Sequence, residues 1–121
     1  MTEQDWQPLF DGFMIHLKAD KGLATLTIRN YGSDLRTFHE YMIVHEISGL
    51  EVLDKSSIRG YLGWLNELGY VRRSIVRKLS TLRGFIRWLL HRELINVDIL
   101  PKRGVINLDS RLPRFISQDQ A

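Results

Sequence analysis

Between Arg72 and Arg92 the chain reads RRSIVRKLSTLRGFIRWLLHR, with large apolar residues at Ile75, Leu79, Leu82, Ile86 and Leu89. Steps of four and three place these five on one stripe of an α-helix, whereas a strand, with its period of two, would scatter them over both faces. The other side of this helix carries Arg73, Arg77, Ser80, Gly84 and Arg87, flanked by Arg83 and Lys78. The whole stretch holds seven basic residues and no acidic one. A chain containing such a helix must bury one side of it against other elements and leave a cationic side facing outwards.

Three further segments show helical spacing. From about Asp5 to Ala19, Trp6, Leu9, Phe10, Phe13 and Leu17 recur at helical intervals until Gly22 interrupts. From about Ala24 to Val44, Ile28, Tyr31, Leu35, Phe38 and Met42 share a stripe. The connection HEISGLEVLDKSS follows, with Gly49 as a turn residue and Asp54 or Ser56 as N-cap. From about Ser57 to Leu68, Ile58, Tyr61, Leu62 and Leu65 are the core positions, and Gly69 sits where a left-handed C-terminal residue belongs. No strand-like alternation is sustained, so the spacing predicts an all-α bundle of four or five helices without a sheet. Residues 1–100 are expected to form this domain, with Ile95–Leu100 adding a short helical turn. Residues 101–121 read as a linker, and Ser117 with Gln120 resembles a capping box opening another helix.

At 121 residues the chain is long enough for one domain with a real core. It has no cysteine, its N-terminus MTEQDWQPLF lacks a signal-peptide pattern, and no apolar run is long enough to span a membrane; a cytoplasmic protein is expected. The net charge is only +3, but it is unevenly distributed. Residues 1–68 hold six Lys/Arg against ten Asp/Glu, whereas residues 69–121 hold eleven against four. Positive potential concentrated in the second half suits a polyanionic partner, although basic helices also occur simply as solvated surface.

Other chemistry finds little support. HEISG lacks the second histidine of a zinc-protease helix, and His16, His39, His45 and His91 show no ligand spacing. No phosphate-cradling glycine motif is present, and Trp64 and Trp88 read as packing residues. No cofactor, metal or small-molecule substrate is implied, nor any membrane partner. Gly84 in mid-helix costs roughly 1 kcal/mol relative to alanine, and close approach to a partner is one reason for such a glycine. The second helix presents Arg29, Asn30, Ser33, Arg36 and Thr37, with Thr25 and Thr27 near its start; the threonines suit either a phosphate clamp or a simple cap.

The order LATLTIRNYGSDLRTF, IRGYL, SIVRKLSTLRGFIRWL and RLPRFIS resembles the N-terminal core-binding, SAM-like domain of the tyrosine recombinases, the Xer-type recombinases and phage-type integrases. The resemblance covers roughly Leu9 to Ser117. It implies a SAM-like orthogonal bundle forming half of a clamp around double-stranded DNA, with helices two and four at the major groove. Carried onto this chain, it implies Thr25, Thr27, Arg29 and Asn30 as helix-two contacts. For helix four it implies Arg72, Arg73, Ser74, Arg77, Ser80 and Arg83, to which the cationic face adds Arg87. It implies self-association on DNA through helix one, with Phe10 and Phe13 as contacts. Where family members often carry Tyr-Arg-Arg-Asp-Leu this chain has YGSDL, which removes positive charge from helix two and makes Asp34 a structural residue. The tyrosine nucleophile and its arginines, lysine and histidines are expected in a domain after the linker, so this stretch should bind and not cut. A SAM-type protein–protein module and a free-standing helix-turn-helix regulator are the alternatives.

Overall fold

The computed structural model describes residues 1–100, and the expected linker at 101–121 lies outside the described residues. Its four α-helices are α1 (Glu3–Ile15), α2 (Thr25–Val44), α3 (Lys55–Glu67) and α4 (Arg72–His91). A π-helical turn, His16–Asp20, continues α1, and a 3₁₀ turn, Leu50–Val52, lies between α2 and α3. No strand occurs among the described residues, so the all-α reading holds.

Local chemistry sets the boundaries. The Thr2 side chain accepts from the Asp5 amide at 3.1 Å and starts α1 at Glu3, two residues before the expected start at Asp5. Glu3 and Asp5 in that first turn suit the positive end of the helix dipole. Asp54, and not Ser56, caps α3: its carboxylate accepts from the Ser57 amide at 2.8 Å, while Ser57 Oγ accepts from the Asp54 amide at 3.3 Å. At the other end Gly69 adopts φ +96°, and the Tyr70 amide donates back to the Leu65 carbonyl at 3.1 Å, the closure expected of a left-handed C-terminal residue. The ends of α2 and α4 close the same way, through Ile47 to Met42 and Leu94 to Leu89, with Glu46 and Glu93 in the left-handed position. Gly49 is extended backbone at the head of the 3₁₀ turn and not the turn residue itself.

Helix α2 is the hub and packs against α1, α3 and α4. The expected stripe of α3, Ile58, Tyr61, Leu62 and Leu65, is buried throughout, as is that of α4. On α2, Leu35, Phe38 and Met42 are buried, whereas Ile28 and Tyr31 are only half-buried near its start. Tyr41 belongs to the core, and its hydroxyl donates to the Ser57 carbonyl at 3.0 Å, tying α2 to α3. This approach requires Gly60, where an added Cβ would stand 2.6 Å from the Tyr41 oxygen.

Helix α1 contributes Trp6, Phe10 and Phe13 to the same core. Phe13 meets Phe85 edge-on at 5.3 Å and Trp88 at 5.5 Å, and Trp6 stacks on buried His39 at 4.7 Å. Phe10 and Phe13 are therefore interior residues, and the sequence expectation that they meet a neighbouring subunit is corrected. Ile95–Leu100 forms no helical turn; it is irregular, and Ile99 and Leu100 fold back into the core.

Candidate nucleic-acid interface

The buried side of α4 is wider than its aliphatic stripe. Besides Ile75, Leu79, Leu82, Ile86 and Leu89 it includes Lys78, Thr81, Phe85 and Trp88, about half the helix circumference. The remaining half presents Arg72, Arg73, Ser80, Arg87 and His91, all exposed, with Arg83 and Gly84 half-exposed. Ser74, half-exposed in the first turn, falls between Thr81 and Phe85 on the buried side. Val76, at 36% exposure, and half-buried Leu90 are the apolar residues on this face. No acidic residue interrupts it.

Two basic residues depart from the sequence expectation. Lys78, placed on a flank by its angle alone, is 4% exposed, and Arg77, placed on the free face, is tethered at its edge. Both converge on Asp34 of α2, which is buried as its structural reading requires. Arg77 donates through Nε at 3.2 Å and Nη2 at 2.6 Å, Lys78 through Nζ at 3.1 Å, and Thr81 through its hydroxyl at 2.8 Å. Lys78 also reaches the Thr37 hydroxyl at 3.4 Å and lies 4.9 Å from the centre of the Tyr70 ring. Burial alone would raise the Asp34 pKa, but the hydrogen bonds from Arg77, Thr81 and Lys78 outweigh it and hold the carboxyl below its ordinary value. Within the cluster, Asp34 locks α2 to α4. Arg77 keeps only part of its guanidinium for an outside ligand, its side chain being 53% exposed.

Thr25, Arg29 and Asn30 of α2 are exposed and Thr27 is half-buried. The N-cap of α2 is Ala24, which has no capping side chain, so neither threonine is the cap. The N-terminus of α4 is likewise uncapped by any side chain, behind Val71, and its first turn carries Arg72 and Arg73 but no acid. Cations at the positive end of a helix dipole are unfavourable by a few tenths of a kcal/mol or more, and a bound anion reverses that sign.

Contacts between α2 and α4 continue past Asp34. Leu23 and Tyr31 line a groove together with Ser80, Gly84, Arg87 and His91, which puts the start of α2 beside the second half of α4. His16 and Lys21, from the connection between α1 and α2, enter the same groove and were not singled out by sequence reading. Lys21 stands beside Gly22 in a turn with φ +64°, and a lone basic residue in such a turn carries no periodicity to mark it. His91 had a signal, lying four residues after Arg87 on the same helix face. No helix among the described residues is long and apolar enough to cross a membrane.

A four-helix domain with one acid-free cationic face agrees with the comparison to known families. The chain belongs to the family described as phage integrase, N-terminal SAM-like domain, which it matches over residues 10–93. Among curated relatives it is 36% identical over 111 residues to tyrosine recombinase XerD of Pseudomonas putida, covering 92% of this chain and 37% of that protein. Tyrosine recombinase XerC of Psychromonas ingrahamii is 32% identical over 115 residues, 93% of this chain and 38% of the relative. XerD of Staphylococcus aureus is 27% identical over 114 residues, 94% of this chain and 39% of the relative. The chain thus spans well under half the length of these relatives. No solved structure matches it.

Proposed function

We propose that this chain is the DNA-gripping module of a site-specific tyrosine recombinase, holding one recombination half-site through the free face of α4 and the start of α2. One observation carries the reading: α4 buries half its circumference and presents the other half as Arg72, Arg73, Ser80, Arg83 and Arg87 without a single carboxylate. A solvated helix gains from mixed charges at i,i+4, whereas a face of one sign gains only when a polyanion neutralises it. At about 1.5 Å per residue, the twenty residues of α4 extend roughly 30 Å, enough to lie along a major groove.

The contact set is Thr25, Thr27, Arg29 and Asn30 from α2, with Arg72, Arg73, Ser74, Ser80, Arg83 and Arg87 from α4. Arg77 joins it in a secondary role, because its fork is largely committed to Asp34. Phosphate contacts from the arginines supply most of the affinity, and side chains near the middle of α4 read base edges. The chain binds and orients. Bond breaking falls to the rest of the recombinase, whereas for assembly on DNA the outer side of α1 offers Gln7, Asp11 and Ile15 in place of the buried phenylalanines.

The test is a salt titration of duplex binding by fluorescence anisotropy. Arg73→Ala with Arg87→Ala leaves the Asp34 cluster intact. It is expected to weaken binding and to flatten the slope of log K against log salt by about 0.9 per lost phosphate contact. An unchanged slope would refute the assignment. Salt-insensitive self-association without DNA binding would favour a protein–protein module instead.

A further inference from the structure

The groove between α4, the π-turn after α1 and the start of α2 has a volume of about 560 Å³. Its walls carry Lys21, Arg83 and Arg87 together with Ser80, His16 and His91, and no carboxylate lines it. The neighbouring acid, Asp20, contacts Nδ1 of the groove-lining His16 at 2.9 Å and does not itself line the groove. The buried rings of Phe13 and Trp88 also line it, and Gly84 lies against the Phe13 ring.

Gly84 is the telling residue. A Cβ added there would meet the Phe13 ring at 3.9 Å, an ordinary contact, so internal packing does not require a glycine. The contrast is Gly60, where the same test gives 2.6 Å. A mid-helix glycine is unfavourable by roughly 1 kcal/mol, and no packing constraint inside the domain offsets that penalty. What the missing side chain does is keep the groove open towards its floor. The groove also borders the exposed arginine face, so a strand following that face passes over it.

We infer that this groove is a seat for one phosphodiester of the DNA backbone, with Lys21, Arg83 and Arg87 as its cationic walls and Gly84 as the gap that admits it. The chemistry fits the occupant. Three permanent cations line the groove while the nearby acid, Asp20, is engaged by His16, and an apolar floor suits the C–H faces of the flanking deoxyriboses. The groove falls within the roughly 300–1,000 Å³ typical of small-ligand pockets, larger than a lone ion needs. The seat extends the interface beyond α2 and α4 to Lys21 on the connection between α1 and α2. This inference rests on the DNA reading above.

The experiment measures affinity of the full chain for a nonspecific duplex at roughly 50 and 200 mM salt, the range over which counterion release is pronounced. The variants are Lys21→Gln, Gly84→Glu, Gly84→Ala and, outside the groove, Arg73→Ala. Lys21→Gln is expected to bind more weakly, with its deficit shrinking about 3.5-fold between the two salts, the value for one lost phosphate contact. Gly84→Glu is expected to lose at least about tenfold in affinity, through repulsion of the phosphate at close range, while melting no lower than the parent. Gly84→Ala, which the packing accommodates, checks that the helix tolerates a side chain there. If Lys21→Gln and Gly84→Glu bind like the parent while Arg73→Ala weakens binding, the seat is wrong and the DNA reading survives. If the parent itself binds no duplex, both fall. Should Gly84→Glu fail to fold, Lys21→Gln and its salt dependence decide alone.

Discussion

Replacing Asp34 by asparagine is expected to destabilise the domain far more than replacing Lys78 by methionine, although each change removes one member of the same buried pair. Asp34 accepts four hydrogen bonds, two from Arg77 and one each from Lys78 and Thr81. Asparagine has the same size but no charge, and its amide group would point N–H donors at other donors. Lys78, only 4% exposed, would then carry an ammonium with no counter-charge. Removing one partner of a buried ion pair typically costs 3–5 kcal/mol. Lys78 retains the Thr37 hydroxyl and the Tyr70 ring, and half-exposed Arg77 finds water, which places the loss near the low end, about 3 kcal/mol. Lys78→Met, by contrast, leaves Asp34 its bonds from Arg77 and Thr81, and the methionine stem fits the lysine's path; the loss is about 1 kcal/mol. Urea unfolding followed by tryptophan fluorescence and far-UV circular dichroism reads both, as shifts in midpoint at constant slope. For a domain of this size the asparagine variant should melt about 10–20 °C lower. Equal losses for the two variants, or a loss below about 1 kcal/mol for Asp34→Asn, would refute the reasoning.

The same carboxylate predicts a pH dependence. Its folded-state pKa lies below the ordinary aspartate value, so its contribution is fully present above the unfolded value of about 3.9 and is lost as the pH falls through the folded one. Urea midpoints of the parent and of Asp34→Asn should therefore differ most near neutrality and converge in acid; a constant gap down to acid pH would contradict this. Glu46 ends α2 with φ 54°, a left-handed conformation that is unfavourable for any residue with a Cβ. Glu46→Gly is expected to stabilise the domain by about 0.5–1 kcal/mol in the same assay, since glycine relieves the strain at some entropic cost in the unfolded chain.

Much of the fold is a matter of period. The spacing of Ile58, Tyr61, Leu62 and Leu65, or of Ile75 through Leu89, states which side of each helix is apolar, and the structure buries those sides. The punctuation was legible too, at Gly69 outright and at the start of α3 as Asp54 or Ser56, because caps and left-handed turns act within a few residues of chain. So was the acid-free face of α4, since charge composition and helical angle are both properties of a single helix. The fates of Arg77 and Lys78 were not. Periodicity gives an angle around a helix's own axis but not which neighbour stands at that angle, and here the neighbour is α2 with a carboxylate at Asp34. Phe13 likewise looked available until α4 closed over it with Phe85 and Trp88, and Phe10 until α2 covered it at Gly32 and Arg36. The groove is wholly tertiary: Lys21 lies more than sixty residues from Arg83 and Arg87, and only the packing of the turn after α1 against α4 brings their charges together. Local sequence thus determined the helices and the sign of their faces, whereas contact between distant segments decided which charges are neutralised inside and which remain free for a ligand.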